Sequence, residues 1–218
     1  MKKCILLAVA GLVAVLLVGF GPTVLDMYRL QQFVSTSEDA YRADGGPWSH
    51  LSDACLGCHG VKGTSVAQDY PSLAGQPASY LAVQLHDFAS GKRANPNMAP
   101  LAMSLSETDI KSLSDYYARQ PARSNRYFEA DPQLAAQGRQ LVEKGTCAAC
   151  HGVRLTGQAQ FPRLAGQGHD YLLKQLEAFA TGTRTEATGT MQRVAAALSP
   201  KDREAVAQYL ASLNPEKE

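Results

Sequence analysis

The chain has 218 residues, of which 45% are hydrophobic and 19% charged, with 21 basic and 20 acidic side chains. This composition is that of a folded protein and excludes disorder for the bulk of the chain. The net charge of +1 offers no basic field to neutralise phosphates, so a function in nucleic-acid binding is excluded. The most informative feature is the set of five cysteines, four of which fall in two matching motifs.

The N-terminus carries a long uncharged segment, residues 4–25, directly after Lys2 and Lys3. A cleaved secretory signal has an apolar region of about 7–15 residues and a small-residue cleavage site, whereas a membrane-spanning helix needs about 20 apolar residues. The segment therefore favours an uncleaved transmembrane anchor over residues 1–25, with a cleaved signal as the alternative. The basic residues should stay cytoplasmic, which places the rest of the chain in the periplasm, attached to the inner membrane.

A polar tether is expected over residues 26–47, after the anchor. Leu30, Phe33 and Val34 recur at helical spacing, so the anchor helix should continue outward for some turns. Gly45, Gly46 and Pro47 end the segment.

The rest of the chain consists of two copies of one sequence repeat, which define two domains. Each copy begins with a C-x-x-C-H-G motif, at Cys55 and at Cys147, and the two motifs lie 92 residues apart. A P-x-L-A-G-Q segment, a Y-L-x-x-Q-L segment and a Leu-Ser pair follow in the same order in both copies. We expect a first domain over residues 48–120, a linker over 121–133 and a second domain over 134–218.

Each copy reads as helical. Leu81 and Phe88 lie seven residues apart on one predicted helix face, and Gly91 follows as a C-terminal stop. Ser106 and Asp109 predict a capping box at the next helix. No segment has the alternation of β-branched residues that a sheet needs, so the fold class should be all-α. The second copy repeats this pattern at Leu172, Leu176, Phe179, Gly182, Ser199 and Pro200.

The two C-x-x-C-H motifs are attachment signatures for c-type haem. The spacing lets two thiols on one turn of chain form thioethers to one haem, and the adjacent histidine becomes a ligand of the iron. A dithiol redox motif or a disulfide would not need the histidine, and a structural zinc site would need a second pair of ligands in each copy. The predicted attachment residues are Cys55, Cys58 and His59 in the first copy and Cys147, Cys150 and His151 in the second.

Methionines at matched positions supply the sixth iron ligand in this interpretation. Met98 lies 39 residues after His59 and Met191 lies 40 residues after His151, whereas the rival Met103 has an alanine as its counterpart and should pack. With His/Met ligation both axial positions are filled, which leaves no open site for a substrate and favours the transfer of single electrons.

Other polar residues of the repeat have weaker signals. Arg93 and Arg184 occupy matched positions, where each guanidinium either pairs with a haem propionate or is solvated at the surface. His50, His86 and His169 have no counterpart in the other copy, so a surface or core role is expected for each.

With these motifs in hand, the chain resembles the cytochrome c4 family over about residues 48–213. The resemblance implies a tandem of two class I cytochrome c domains, face to face, with two covalently bound haem c groups whose propionate edges lie near the interface. It also implies that a proline carbonyl accepts a hydrogen bond from each proximal imidazole, and Pro71 and Pro162 stand at that place.

The predicted function is therefore electron transfer by a membrane-tethered dihaem cytochrome c. The resemblance implies a quinol-cytochrome c oxidoreductase or a dehydrogenase as donor and a haem-copper terminal oxidase as acceptor. An alternative is a permanent cytochrome subunit of a larger membrane oxidoreductase. A dihaem peroxidase-like enzyme is a third hypothesis, but it needs a five-coordinate iron, and the paired methionines argue against one.

Overall fold

A computed structural model of the chain describes residue 11 and residues 18–36 and 50–216. The chain divides into two compact units, one ending at His50 and one beginning at Leu51.

In the first unit, residues 18–36 are helical and form α1. Large apolar side chains along α1, such as Phe20, Met27 and Phe33, are exposed. Of the predicted anchor over 1–25 the structure describes only residues 11 and 18–25, and of the predicted tether over 26–47 it describes residues 26–36, which continue the helix outward as expected. Within the described part of the chain, no helix has both the length and the apolar character needed to span a membrane.

The second unit is built from helices, as the sequence predicts, and the described residues pair as β-structure only in one bridge between Gln158 and Phe161. A 3₁₀ turn at Leu51–Cys55 leads into α2, and another at Val61–Gly63 follows it. The helices of the first domain are α2 (Leu56–His59), α3 (Ala78–Ala89), α4 (Met98–Met103) and α5 (Glu107–Arg119). Those of the second domain are α6 (Pro132–Lys144), α7 (Cys147–His151), α8 (His169–Thr181), α9 (Thr190–Ala196) and α10 (Pro200–Ser212).

The last helix of each domain starts at a capping box. In α5 the hydroxyl of Ser106 accepts from the amide of Asp109, whose carboxylate accepts from the amide of Ser106. Ser199 and Asp202 make the same pair of contacts at α10. Both boxes satisfy amides that a helix N-terminus leaves without a partner, which fixes where these helices begin.

Equivalent helices pack together in each domain. α3 packs against α4 and α5, and α8 packs against α9 and α10. In the second domain α6 also crosses α10, at a point where Gly138 lies against the backbone of Ala205. The buried core of the second domain includes Leu172, Leu176, Phe179, Val206 and Leu210, and that of the first includes Leu81, Leu113, Tyr116 and Tyr117.

The two domains share a closely packed interface within the second unit. The amide of Tyr171 donates to the carbonyl of Gln68 at 2.8 Å. A Cβ atom at Gly168 would lie 2.4 Å from that same carbonyl oxygen. Glycine is therefore required where the backbone of the first domain meets the start of α8.

Candidate haem-binding sites

In each C-x-x-C-H motif a short helix ends at the histidine. His59 is the last residue of α2 and His151 the last of α7. The two imidazoles are buried, at 7% and 5% exposure. The first cysteine of the motif starts α7 at Cys147 and directly precedes α2 at Cys55, and the second cysteine lies within the helix, which carries the histidine inward as covalent haem attachment requires.

The imidazoles are oriented by backbone carbonyls. Nδ1 of His59 lies 2.8 Å from the carbonyl oxygen of Pro71, and Nδ1 of His151 lies 2.8 Å from that of Pro162. Because a carbonyl only accepts, the proton is on Nδ1 in both rings, and Nε2 keeps a lone pair with which it can bind a metal ion. Burial lowers the pKa of both histidines, with the carbonyl contact acting in the opposite direction.

The four motif cysteines form no disulfide. Burial raises the pKa of the Cys55 and Cys147 thiols. A dithiol exchange site needs a cysteine whose pKa is depressed, so this environment argues against the redox-motif alternative. The thiols instead lie where an apolar group is packed, since Cys147 lies against the core of the second domain and Cys55 against that of the first.

Met98 and Met191 lie at the starts of equivalent helices. Met98 is the first residue of α4 and Met191 the second of α9, and both are partly buried. Their amides are held by side-chain oxygens at matched positions, Asn95 Oδ1 at 2.9 Å and Glu186 Oε1 at 3.1 Å. Met191 packs against the same core as Cys147, whereas Met98 lies outside the buried cluster of the first domain.

Met103 is 69% exposed, so the expectation that it packs was wrong. It is the last residue of α4, and the capping residue Ser104 follows it directly. At that position its side chain reaches solvent, while Ala102 beside it is buried at 1% exposure.

Arg93 and Arg184 meet at the interface between the domains, and the surface alternative for them was wrong. Arg93 donates to the hydroxyl of Tyr171 at 3.0 Å, and Arg184 donates to the hydroxyl of Tyr80 at 3.2 Å. Each guanidinium also lies over a phenylalanine of its own domain. Both arginines donate to the side-chain carbonyls of Gln84 and Gln175, at 2.7 to 2.9 Å.

We refer to six residues as the interface cluster: Tyr80, Gln84, Arg93, Tyr171, Gln175 and Arg184. Its two arginines are positively charged, and the tyrosines and glutamines to which they donate are neutral. Among the described residues no carboxylate pairs with either guanidinium. Burial opposes ionisation of the Tyr171 hydroxyl, but the two guanidiniums outweigh it and lower its pKa to about 8. A buried cation pair without a counterion is costly, so the cluster fits an anion such as a carboxylate. Haem propionates are anions of this kind.

The histidines outside the motifs have other roles. The side chain of His169 is stacked on Phe128 and bonded to Asp170 and Glu204 at 2.8 and 3.0 Å. Nε2 of His86 lies 3.5 Å from a carboxylate oxygen of the exposed Glu107. His50 is partly buried.

The sequence analysis missed the glutamines of the interface. Gln84 and Gln175 are the fifth residues of the two Y-L-x-x-Q-L segments, and Gln76 and Gln167 end the two P-x-L-A-G-Q segments. Their recurrence at matched positions was the available signal. Gln76 and Gln167 are buried, at 4% and 1% exposure.

The paired helical domains, each with two thiols, a carbonyl-bound histidine and a matched methionine, define a two-domain c-type cytochrome. The family model described as cytochrome c matches residues 49–118 and again 135–214. Cytochrome c4 of Thiocapsa roseopersicina is 40% identical over 171 residues, which cover 73% of this chain and 87% of the relative. The chain belongs to the cytochrome c4 family, and it carries two covalently bound haem c groups and transfers electrons.

Two further similarities are to a solved structure and to a relative that is named for the enzyme whose electrons it accepts. The crystal structure of reduced recombinant cytochrome c4 from Pseudomonas stutzeri matches with a TM-score of 0.70 and 35% identity, over 81% of this chain and 100% of that one. A protein of Stutzerimonas stutzeri named thiosulfate dehydrogenase electron acceptor is 36% identical over 193 residues, covering 81% of this chain and 89% of the relative.

Proposed function

We propose that each domain holds its haem through its own C-x-x-C-H motif and matched methionine. Cys55 and Cys58 would form the thioethers to the haem of the first domain, and Nε2 of His59 and the sulfur of Met98 would bind its iron. In the second domain these roles fall to Cys147, Cys150, His151 and Met191. The haem iron would supply a one-electron couple, and with a histidine and a methionine both bound to it there would be no position left for a substrate.

The role of the protein in this proposal is a two-step relay of single electrons. The observation that carries it is the interface cluster, in which matched residues of the two domains interlock around two guanidiniums that have no carboxylate partner in the described part of the chain. Such a cluster would suit the propionates of both haems, because residues of both domains contribute to it, and haems held at one shared cluster could exchange an electron directly. The fixed polar contacts also keep that path from changing as the protein diffuses.

The donor in the proposed reaction is a quinol-oxidising complex or a dehydrogenase, and the acceptor is a haem-copper terminal oxidase. The proposed location is the periplasmic face of the inner membrane, with the N-terminal segment as the anchor. This location is supported by the uncharged run over residues 4–25, which has the length of a membrane-spanning helix.

The test is a reconstitution of electron flow with full-length protein purified in mild detergent. Reduction by a quinol-oxidising complex, followed by oxidation with a purified haem-copper oxidase, should pass two electrons per chain through two resolvable steps. Reduction without turnover by the oxidase would overturn the proposed acceptor. Intact mass of the membrane-extracted chain tests the anchor, because a shortened chain in the soluble fraction alone would overturn it.

A second candidate function is that of a fixed cytochrome subunit of a dehydrogenase. It is favoured by the similarity to the thiosulfate dehydrogenase electron acceptor of Stutzerimonas stutzeri. A haem-stained native gel of gently solubilised membranes separates the two proposals. A band in a large assembly supports the subunit, whereas a band of the size of the single chain supports the shuttle.

A further inference from the structure

The two P-x-L-A-G-Q segments are joined across the interface by reciprocal glutamine contacts. Gln167, at the end of the second segment, accepts from the amide of Ser72 at 2.7 Å and donates to the carbonyl of Ser72 at 3.0 Å. Gln76, at the end of the first segment, accepts from the amide of Arg163 at 2.8 Å and donates to its carbonyl at 3.0 Å. Each side-chain amide thus pairs with one residue of the opposite domain, and only this orientation of the amide satisfies both contacts.

Each of these glutamines bonds to the peptide group that orients the proximal histidine of the other domain. The peptide between Pro71 and Ser72 accepts from His59 through its carbonyl and donates to Gln167 through its N–H. The peptide between Pro162 and Arg163 does the same between His151 and Gln76. One peptide group is therefore all that separates each glutamine from an imidazole across the interface.

We infer that Gln76 and Gln167 are positioning residues that set the reduction potential of the haem in the opposite domain. Gln167 acts on the haem held by His59, and Gln76 on the haem held by His151. The inference rests on the proposed ligation by these two histidines. It assigns to the interface a second role besides holding the domains together.

The physical link is the polarisation of a chain of hydrogen bonds. A peptide whose N–H donates to an acceptor has a more negative carbonyl oxygen, and the effect is larger where water is excluded. Both glutamines are almost fully buried. The stronger carbonyl acceptor gives the imidazole more anionic character, which stabilises ferric iron and lowers the potential.

The two relays are not identical. The side-chain oxygen of Gln167 also accepts from the amide of Gly168 at 3.0 Å, whereas Gln76 is followed by Pro77, which has no amide to donate. The guanidinium of Arg163 also donates to the carbonyl of Ala74 in the first domain at 3.0 Å. The side-chain oxygen of Gln76 thus accepts one described hydrogen bond, from the amide of Arg163, whereas that of Gln167 accepts two. We therefore expect Gln76→Met to shift a haem potential by more than Gln167→Met does.

The experiment compares Gln76→Met and Gln167→Met with the wild-type holoprotein. Methionine keeps the length of the side chain but is a weak acceptor. The potentials of both haems are measured by spectroelectrochemistry, and each haem is assigned by NMR of its methyl groups. We expect a crosswise pattern, in which Gln167→Met raises the potential of the first-domain haem and Gln76→Met raises that of the second, with a matching change in the Nδ1 proton resonance of the affected histidine.

Ser79→Ala is the matched control. Its hydroxyl donates across the interface to the carbonyl of Ala159 at 2.7 Å and makes no described hydrogen bond to either P-x-L-A-G-Q segment, so both potentials should stay unchanged. Shifts of equal size in both haems, or no shift in either glutamine variant, would overturn the inference. A wild-type spectrum without two histidine-ligated low-spin irons would instead overturn the ligation itself, so the two failures are distinguishable.

Discussion

Arg184 of the second domain donates a hydrogen bond of 3.2 Å to the hydroxyl of Tyr80 in the first domain. Arg93 makes the reciprocal contact with Tyr171 at 3.0 Å. The domains therefore exchange arginine contacts, and each guanidinium is bound by a tyrosine that belongs to the other haem-binding unit. Each arginine therefore places its positive charge beside residues of both domains.

Replacing Arg184 by glutamine should lower at least one of the two haem potentials. A nearby cation stabilises the reduced iron site, which carries one positive charge less than the oxidised site, and burial strengthens this effect. Spectroelectrochemical titration at low ionic strength measures the shift. Arg139→Gln is the control, because Arg139 lies exposed on α6 and pairs with Glu143. Unchanged potentials in Arg184→Gln would contradict a role for the interface cluster beside the haems.

Met98→Ala and Met191→Ala should each convert one of the two irons from low-spin to high-spin. Loss of the thioether leaves an axial position to water or added cyanide and lowers the potential of that haem. Electronic absorption and EPR spectra of the oxidised protein, with and without cyanide, report the change.

Met103→Ala provides the comparison for these variants, because the side chain of Met103 is 69% exposed. Its spectra should match the wild type. A wild-type protein with half of its iron in the high-spin state would contradict the His/Met assignment and revive the peroxidase-like hypothesis.

The repeat made much of this fold predictable. Helix faces, capping boxes and the motif cysteines recur at a nearly constant offset, and local physics fixes each of them. The capping pair of Ser106 and Asp109, for example, needs only three residues of spacing. The same locality explains why the all-α class followed from the sequence.

The interface was not predictable, because its contacts depend on how two folded domains dock. The matched positions of Arg93 and Arg184 were visible in the sequence, but not that each one reaches the tyrosine of the opposite domain. The glutamines that end the P-x-L-A-G-Q segments likewise form their hydrogen bonds only when the two segments face each other across the interface. The burial of single side chains was not predictable either, since Met103, which was expected to pack, is exposed at the end of α4.

Gly138→Ala should destabilise the second domain by about 1–3 kcal/mol, the usual cost of overpacking. A Cβ atom there would lie 1.9 Å from the carbonyl oxygen of Ala205, so α6 and α10 would have to separate. Urea denaturation of the holoprotein, followed by far-UV circular dichroism, gives the change in unfolding free energy.

Gly57→Ala is the matched control for this prediction. Nothing lies within 4 Å of a Cβ atom at Gly57, and the second C-x-x-C-H motif carries alanine at the equivalent position, Ala149. We expect no loss of stability in this variant. Equal stability of Gly138→Ala and the wild type would show that the helices do not cross as closely as described.

Ser199→Ala should remove the cap of α10 and change how stability depends on pH. Loss of a serine cap costs about 1 kcal/mol. The hydroxyl of Ser199 is also the largest cause of the lowered pKa of Asp202, with Gln137 contributing. A carboxyl whose pKa is lower in the folded state contributes stability above its unfolded pKa, near pH 4, and this contribution is lost as the pH falls through the folded value.

The wild type should therefore lose more stability than Ser199→Ala as the pH falls from about 5 to 3, where Asp202 titrates. Hydrogen exchange of the backbone amides of α10, recorded at increasing urea concentration and at several pH values in this range, measures the loss of stability. Ser212→Ala removes a hydroxyl from the other end of the same helix, where it donates only to the carbonyl of Tyr209, so its pH dependence should parallel the wild type. Parallel curves for Ser199→Ala and the wild type would mean that the capping box does not couple Asp202 to the folding of α10.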